Sequence, residues 1–539
     1  MKVYRHLSVI VALIGCLLLF NFSTIGTAQT TQLRMGIVGD EGTINPYTYV
    51  TGNPGWNLLL LQYDTLYQLD ADGVPQPWLV ASSEISDDGL TVSLSLREDV
   101  SFHDGEAFTA EDVAFTVNYF KENTQGRFTR ALNPIESATV TDTYTLDLQL
   151  TAPTPSLELG VFSDVPILPE HVWSEIENPA EESSDISLNI GSGPYRLVEY
   201  QPDQFYRFEA FEGYFAGTPN VPELVFIRYA DNTGSLAALQ ANEVDMLVNS
   251  VTPEQVDFLS MSADISVVQG PLFTTQMVNY DIERAPFDQL DVRRAMSLAI
   301  DRQDIIDTVY LGAATAGNPG WIHPQSTFFN ADIETLHDPD MANTLLDDAG
   351  FVDSDGDGIR EFDGEAMSFS FITPSNNALR IRIAELVREM LLEIGIDARV
   401  EVVEQATWED AVWPGFSVSQ GRNYDMAMWG WSAPIQADVI RISTLVHSDP
   451  SIGSLNLTGY ANSEMDALIE ELIVTVDTDR QLELLQSIQD LIATDLPFIM
   501  ILYPDAVYAY RPDAYDNWLF MSGQGIFHKL SFLSETARP

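Results

Sequence analysis

Asn423-Tyr-Asp-Met-Ala-Met-Trp-Gly-Trp-Ser-Ala-Pro-Ile-Gln-Ala-Asp438 begins as a buried strand and ceases to be one at Gly430. Met426, Ala427, Met428 and Trp429 form the apolar run; Trp431 follows the glycine in a segment that contains Pro434. Two indoles flanking a glycine at a strand end have two readings. They are a core pair, or they are the wall of a ligand site, because a buried indole N–H needs a partner and aromatic faces suit ligands. From these residues alone core packing is the simpler account.

Working outward from that strand gives the fold class. Met367 to Thr373 reads as a strand. Leu379, Ile383, Leu386, Met390 and Ile394 then recur at helical spacing on one face, and Gly395 stops that helix. Ile396 to Val403 is the next strand, followed by Trp408 and Trp413. Strand, helix and strand with short joints make a parallel α/β unit. Leu224–Tyr229, Thr233–Gln240 and Val244–Val248 repeat that order earlier in the chain. Val140 to Leu150 reads as one strand, and Phe498–Tyr503 and Val507–Tyr510 as two late ones.

Near the other end, Pro77-Trp78-Leu79 precedes the turn Asp87-Asp88-Gly89 and the alternating strand Thr91 to Arg97. Phe102-His103-Asp104-Gly105 is a tight turn, and Thr109-Ala110-Glu111-Asp112 is a capping box opening a helix. Turn and cap account for His103, Asp104, Glu106, Glu111 and Asp112 without catalysis. Gly191-Ser192-Gly193-Pro194-Tyr195 feeds a strand and carries no following Lys, so it is not a phosphate loop. Asp353, Asp355 and Asp357, with Gly358 after them, resemble the start of a calcium loop. The twelfth position is Gly364 instead of an acidic residue, so a solvated hairpin turn is the better reading of that segment.

The chain has 539 residues, enough for two or three domains. Eighty acidic residues against 25 basic ones give a net charge of -55, and Lys2, Lys121 and Lys529 are the lysines. Such a surface repels nucleic acid and anionic membranes, which both need clustered Lys and Arg. Lys2 and Arg5, the apolar run Leu7 to Phe22 and the small residues Gly26-Thr27-Ala28 read as a signal peptide at 1–28. Export with cleavage after Ala28 removes the single cysteine, Cys16. The alternative is a lipoprotein box, Leu13-Ile14-Gly15-Cys16, with the chain anchored through Cys16.

Several ordered segments resemble the extracellular solute-binding proteins of ABC importers, family 5, the peptide/nickel-type group. They are Pro77-Trp78-Leu79, Asp88-Gly89, Leu96-Arg97, Phe102 to Gly105, Thr109 to Val113, and Gly191 to Tyr195. Further on come Asn279, Pro286-Phe287, Val292 to Ala295, Ala299 to Arg302, Leu345-Leu346, Ala349-Gly350, Tyr424-Asp425, Gly430-Trp431, and Tyr460 to Asn462 with Asp466. The resemblance implies an α/β, two-lobed periplasmic-binding-protein clamp of type II with an extra subdomain in lobe I. Lobe I is expected at 29–50, 190–274 and 500–539, the extra subdomain at 51–189 and lobe II at 275–499. The hinge is then expected near Thr274 and Met500.

It implies a monomeric, periplasmic or cell-surface binding protein, not an enzyme and without cofactor. Such a protein captures an oligopeptide or dipeptide between its lobes and delivers it to ABC permease subunits. By the same resemblance Trp431 and Gly430 lie on the pocket wall, with Trp429, Asp438, Asn45, Tyr47 and Trp321 as further ligand-contact candidates. Peptide-binding relatives often carry an Asp three residues after this Trp, and here the position is Pro434. The tryptophans also suit stacking on an oligosaccharide. A secreted acidic hydrolase using paired carboxylates is the rival of another class.

Overall fold

The computed structural model describes residues 31–49, 54–179, 185–431 and 438–539. The expected signal peptide, Cys16 and Pro434 lie outside them. Among the described residues no helix is long and apolar enough to cross a membrane.

One twelve-stranded mixed sheet runs through the molecule. Its strands are β1 (Leu33–Val38), β2 (Tyr195–Gln201), β3 (Phe205–Ala210), β4 (Glu223–Tyr229), β5 (Met246–Leu247) and β6 (Ser266–Pro271). The remainder are β7 (Gln276–Tyr280), β8 (Ala314–Ala316), β9 (Ser368–Pro374), β10 (Asp397–Val403), β11 (Met426–Trp429) and β12 (Phe498–Tyr510). The spatial order is β10-β9-β11-β7-β12-β5-β1-β4-β3-β2, with β6 and β8 also paired to β12. Helices named below are α1 (Ala110–Glu122), α2 (Asn232–Gln240), α3 (Pro253–Ser260), α4 (Ala378–Leu392) and α5 (Gln405–Val412).

Both expected α/β units are present. β9 and β10 pair in parallel from Ser368↔Asp397 to Pro374↔Val403, with α4 as the crossover. Leu391 and Ile394 are fully buried, and Gly395 ends the turn at φ +78°. β4 and β5 both pair in parallel with β1, joined by α2. Two expectations are corrected. The 140–150 segment is a hairpin, Ile135–Asp142 with Thr145–Leu150, in a separate four-stranded antiparallel sheet. The two late strands are a single one, β12, of 13 residues. Its first half pairs with β7 and β8, its second half with β6 and β5. Pro504 falls at the changeover, where a missing N–H disturbs the fewest ladder bonds.

β12 joins two lobes with separate cores. One core gathers Leu33, Leu59, Phe120, Phe208, Phe226 and Leu530; the other side of β12 is built around Val278, Phe371, Ile383, Met426 and Ile499. Two further clusters flank the sheet, one around Trp408, Trp431 and Met500 and one around Leu239, Val244 and Val507, and the mixed sheet with cores to either side of β12 is a two-lobed α/β clamp.

The motifs near residues 77, 102 and 191 meet in the first lobe. Gly191 and Gly193 lie on the end of the helix Gly55–Gln62; a Cβ on Gly191 would come within 2.1 Å of the Gln62 carbonyl oxygen. The Gly191 N–H donates to His103 Nδ1 at 3.3 Å, and His103 Nε2 contacts the Gly193 carbonyl at 2.9 Å. His103 is therefore a structural brace. Asp112 caps α1 through Thr109 N at 2.8 Å and also accepts from Glu170 N at 2.9 Å, so one carboxylate serves two helix starts.

Burial holds the His103 pKa down at about 4, and does the same to His323 and His528. A histidine near 6.5 when unfolded takes up its proton in the unfolded chain first. Its contribution to stability is thus complete above about pH 6.5 and is lost as pH falls towards 4. Burial acts oppositely on Glu41, raised to about 7, whose contribution is complete below the unfolded value and lost as pH rises. Urea unfolding at pH 7, 5.5 and 4.5 should show stability falling with acid. His103→Gln should flatten that slope by up to roughly 3 kcal/mol across the interval. An unchanged slope in the variant would refute the assignment of His103.

Candidate functional site

β9 and β11 run parallel, Phe371↔Met426 and Ile372↔Ala427, and end side by side. Ligands of α/β sheets bind beyond such carboxyl ends. β11 delivers Trp429, Gly430 and Trp431 there. The Trp431 N–H donates to Thr275 Oγ1 at 2.7 Å, and the Thr275 N–H donates to the Trp431 carbonyl at 3.0 Å. That clasp brings the chain so close that a Cβ on Gly430 would lie 1.8 Å from the Thr275 carbonyl oxygen. Gly430 is required by packing, since its φ is not left-handed.

The indoles form one cluster. Trp408, on α5, stacks on Trp429 with centroids 4.2 Å apart. Trp431 meets Trp413 and Trp429 edge-on, each at 6.3 Å. The buried Nε1 atoms of Trp408, Trp413 and Trp429 have no acceptor among the described residues.

A residue that sequence reading missed completes the wall. Arg380, in the first turn of α4, is buried, and its guanidinium carbon lies 4.8 Å from the Trp429 ring centre. Its Nε donates to Gln276 Oε1 at 3.0 Å, and Nη2 lies 3.3 Å from where a Gly430 Cβ would be. Burial lowers its pKa to about 10, with Tyr310 acting in the opposite sense, so it is charged at neutral pH.

The other candidates lie elsewhere. Asn45 is fully buried, its Oδ1 accepting from Tyr47 N at 2.9 Å and Thr48 N at 3.1 Å. Tyr47 packs against Phe120 and Trp173 and donates to the Asn123 carbonyl at 2.7 Å. Trp321 is fully buried behind the wall, its carbonyl accepting from the Tyr503 hydroxyl at 2.7 Å. None of these three is part of the wall at the end of β11. Asp438 is buried and accepts from Arg441 Nε at 3.3 Å; burial raises its pKa. A Cβ on Gly160 would lie 3.7 Å from Asp438 Oδ2, and the neighbouring Leu157 and Val161 pack in the first core, so Asp438 sits where the two cores approach each other. A second crossing pairs Arg382 of α4 with Glu254 of α3 at 2.8 Å. In the acidic loop, Asp353 and Asp355 approach each other and Glu361, while Asp357 is left out of that group. The Asp353 carboxylate is taken by the Gly356 and Gly358 N–H groups, and the loop is exposed.

The description "Bacterial extracellular solute-binding proteins, family 5 Middle" matches residues 74–451. The chain belongs to this family. That membership makes it a solute-binding protein of the extracytoplasmic type. It is 25% identical over 492 residues to the oligopeptide-binding protein AppA of Bacillus subtilis, covering 88% of this chain and 87% of AppA. It is 28% identical over 456 residues to heme-binding protein A of Haemophilus influenzae, covering 79% of each. The crystal structure of the ABC transporter substrate-binding protein CtaP from Listeria monocytogenes superposes with a TM-score of 0.79 at 24% identity. That superposition covers 94% of this chain and 99% of CtaP.

Proposed function

We propose that this solute-binding protein captures an oligopeptide between its lobes and presents it to an ABC permease in the membrane, acting as an exported monomer without catalysis. The wall Trp429-Gly430-Trp431 carries this reading: it stands at the carboxyl ends of β9 and β11, where contacts from both lobes meet. Relatives named for an oligopeptide and for heme show that the family alone does not set the ligand. A closed clamp is favoured by the ligand's differential affinity for the closed state. An oligosaccharide is the second reading, supported by the indole cluster, whose faces suit sugar rings.

Purified protein should show a change in tryptophan fluorescence on titration with a peptide panel and an oligosaccharide panel. It should gain about 2.7 kcal/mol of stability at 100 times Kd, with the ligand recovered chemically unchanged. No response across both panels, or release of reducing ends from the oligosaccharides, would sink the proposal. The second outcome would favour a hydrolase.

A further inference from the structure

Phe273 holds a backbone conformation that a bulky residue rarely adopts. It lies in the segment 272–275, which carries the chain from β6 to β7, and its φ is +59°. A left-handed φ suits glycine and strains a side chain of this size. Strain of this kind persists only where the surroundings over-determine it. Leu272 packs against the first core and Met277 joins the cluster of Trp408 and Trp431, so the chain changes lobes across Phe273.

The ring is held from both lobes. On one side it lies over Gly523, in the C-terminal segment whose Met521 is buried in the first core; a Cβ on Gly523 would stand 3.2 Å from Phe273 Cδ2. The Gly523 N–H donates to the Pro271 carbonyl at 3.1 Å, which fixes that segment to the end of β6. On the other side the ring meets the His323 imidazole, with centroids 4.6 Å apart. His323 in turn meets Tyr503 at 4.7 Å. Trp321, two residues before His323, is also left-handed, at φ +76°, and its carbonyl accepts from the Tyr503 hydroxyl.

Tyr503 marks the second passage between the lobes. It pairs with Thr315 of β8, whereas Asp505 pairs with Pro271 of β6. The stack of Phe273, His323 and Tyr503 therefore spans both passages of the chain. The clasp of Thr275 to Trp431 ties the first passage to the tryptophan wall.

We propose that Phe273 is the stop of the hinge: its ring, gripped between Gly523 and His323, fixes the angle at which the lobes face each other. The inference rests on the reading of the chain as a binding clamp. A rotation of the lobes in either sense would part the ring from one neighbour or drive it into the other, so the packed angle is a defined minimum. Without the ring, the few residues of the two passages absorb the rotation with little resistance.

Distances between spin labels on S137C and S487C, in a C16S background, report that angle. Ser137 is exposed on the hairpin strand Ile135–Asp142 of the first lobe, and Ser487 on the helix Thr478–Asp495 of the second. F273A keeps the strained backbone and loses the ring. It should widen the ligand-free distance distribution at least about 2-fold, whereas F273Y should match the parent. F273G should widen it as F273A does and melt above F273A, because glycine accepts the left-handed φ. Any member of the peptide or oligosaccharide panels that binds the parent should bind F273A about 3- to 10-fold more weakly, since a smaller fraction of molecules stands at the binding angle.

An F273A distribution as narrow as the parent's and centred at the same distance would overturn the hinge stop. Should melting curves show that F273A does not fold, F273L, apolar but without the flat ring, must show the same widening or the proposal falls. The clamp is judged apart, on the parent alone. A panel member that binds without shifting the parent's distance would sink the clamp, whatever Phe273 does.

Discussion

Replacing Lys529 with Met should destabilise the protein by about 3–5 kcal/mol, because it strands a buried carboxylate. Lys529 Nζ contacts Asp64 Oδ1, and both side chains are essentially without solvent exposure. The same Asp64 oxygen accepts from Trp78 Nε1 and the Tyr214 hydroxyl, each at 3.0 Å; its other oxygen accepts from Ser192 Oγ at 3.3 Å. Asp64 thus ties together the helix end at Gln62, the Pro77-Trp78-Leu79 motif, the Gly191 turn and the C-terminal segment. Removing the ammonium leaves neutral donors around an ion that water cannot reach, and desolvation then dominates. Asp64→Asn combined with Lys529→Met should recover much of the loss, since neither charge remains. Urea unfolding of the two single variants and the double variant measures this directly. A loss under 1 kcal/mol for Lys529→Met would show that the pair contributes little.

That network also shows why much of the fold could be read from the sequence. Thr109 and Asp112 form their capping box from local spacing alone, and Gly395 ends α4 because only a left-handed residue fits there. These are short-range requirements written in residue type. Phe498–Tyr503 and Val507–Tyr510 read as two strands, whereas β12 changes partners at Pro504 and continues, a pairing that local sequence does not show. The site was less legible because its features are relational. Trp408 meets Trp429 only once α5 is folded back on β11. Arg380 sits in Leu-Arg-Ile-Arg, and helical spacing does not reveal that Arg382 bridges to Glu254 while Arg380 turns inward to Gln276 and the Trp429 ring. Asn45 and Trp321 entered as candidates through the family resemblance, and their full burial is a property that only the folded chain displays.

Gly430 is where fold and site depend on the same atom. Gly430→Ala puts a methyl group where 1.8 Å separates it from the Thr275 carbonyl oxygen, far inside contact distance. Neither neighbour is a flexible chain end: Thr275 begins β7's approach, and Gly430 ends β11. The backbones must part, which breaks the Thr275 N–H bond to the Trp431 carbonyl and the Trp431 N–H bond to Thr275 Oγ1. Overpacking of this kind costs about 1–3 kcal/mol, and the two lost hydrogen bonds add about 1 kcal/mol each. The same displacement shifts Trp429 and Trp431 and presses on Arg380 Nη2, 3.3 Å from the new methyl. A 1 Å error in the placement of binding groups is enough to lose most of their directed contacts. Gly430→Ala should therefore lower the melting temperature and, in the fraction that stays folded, weaken ligand binding at least about 10-fold. Fluorescence titration beside the melting curve separates the two effects. A variant that melts with the parent and binds as tightly would mean that the strand end yields freely. The clasp between Thr275 and Trp431 would then no longer explain why a glycine stands between the two tryptophans.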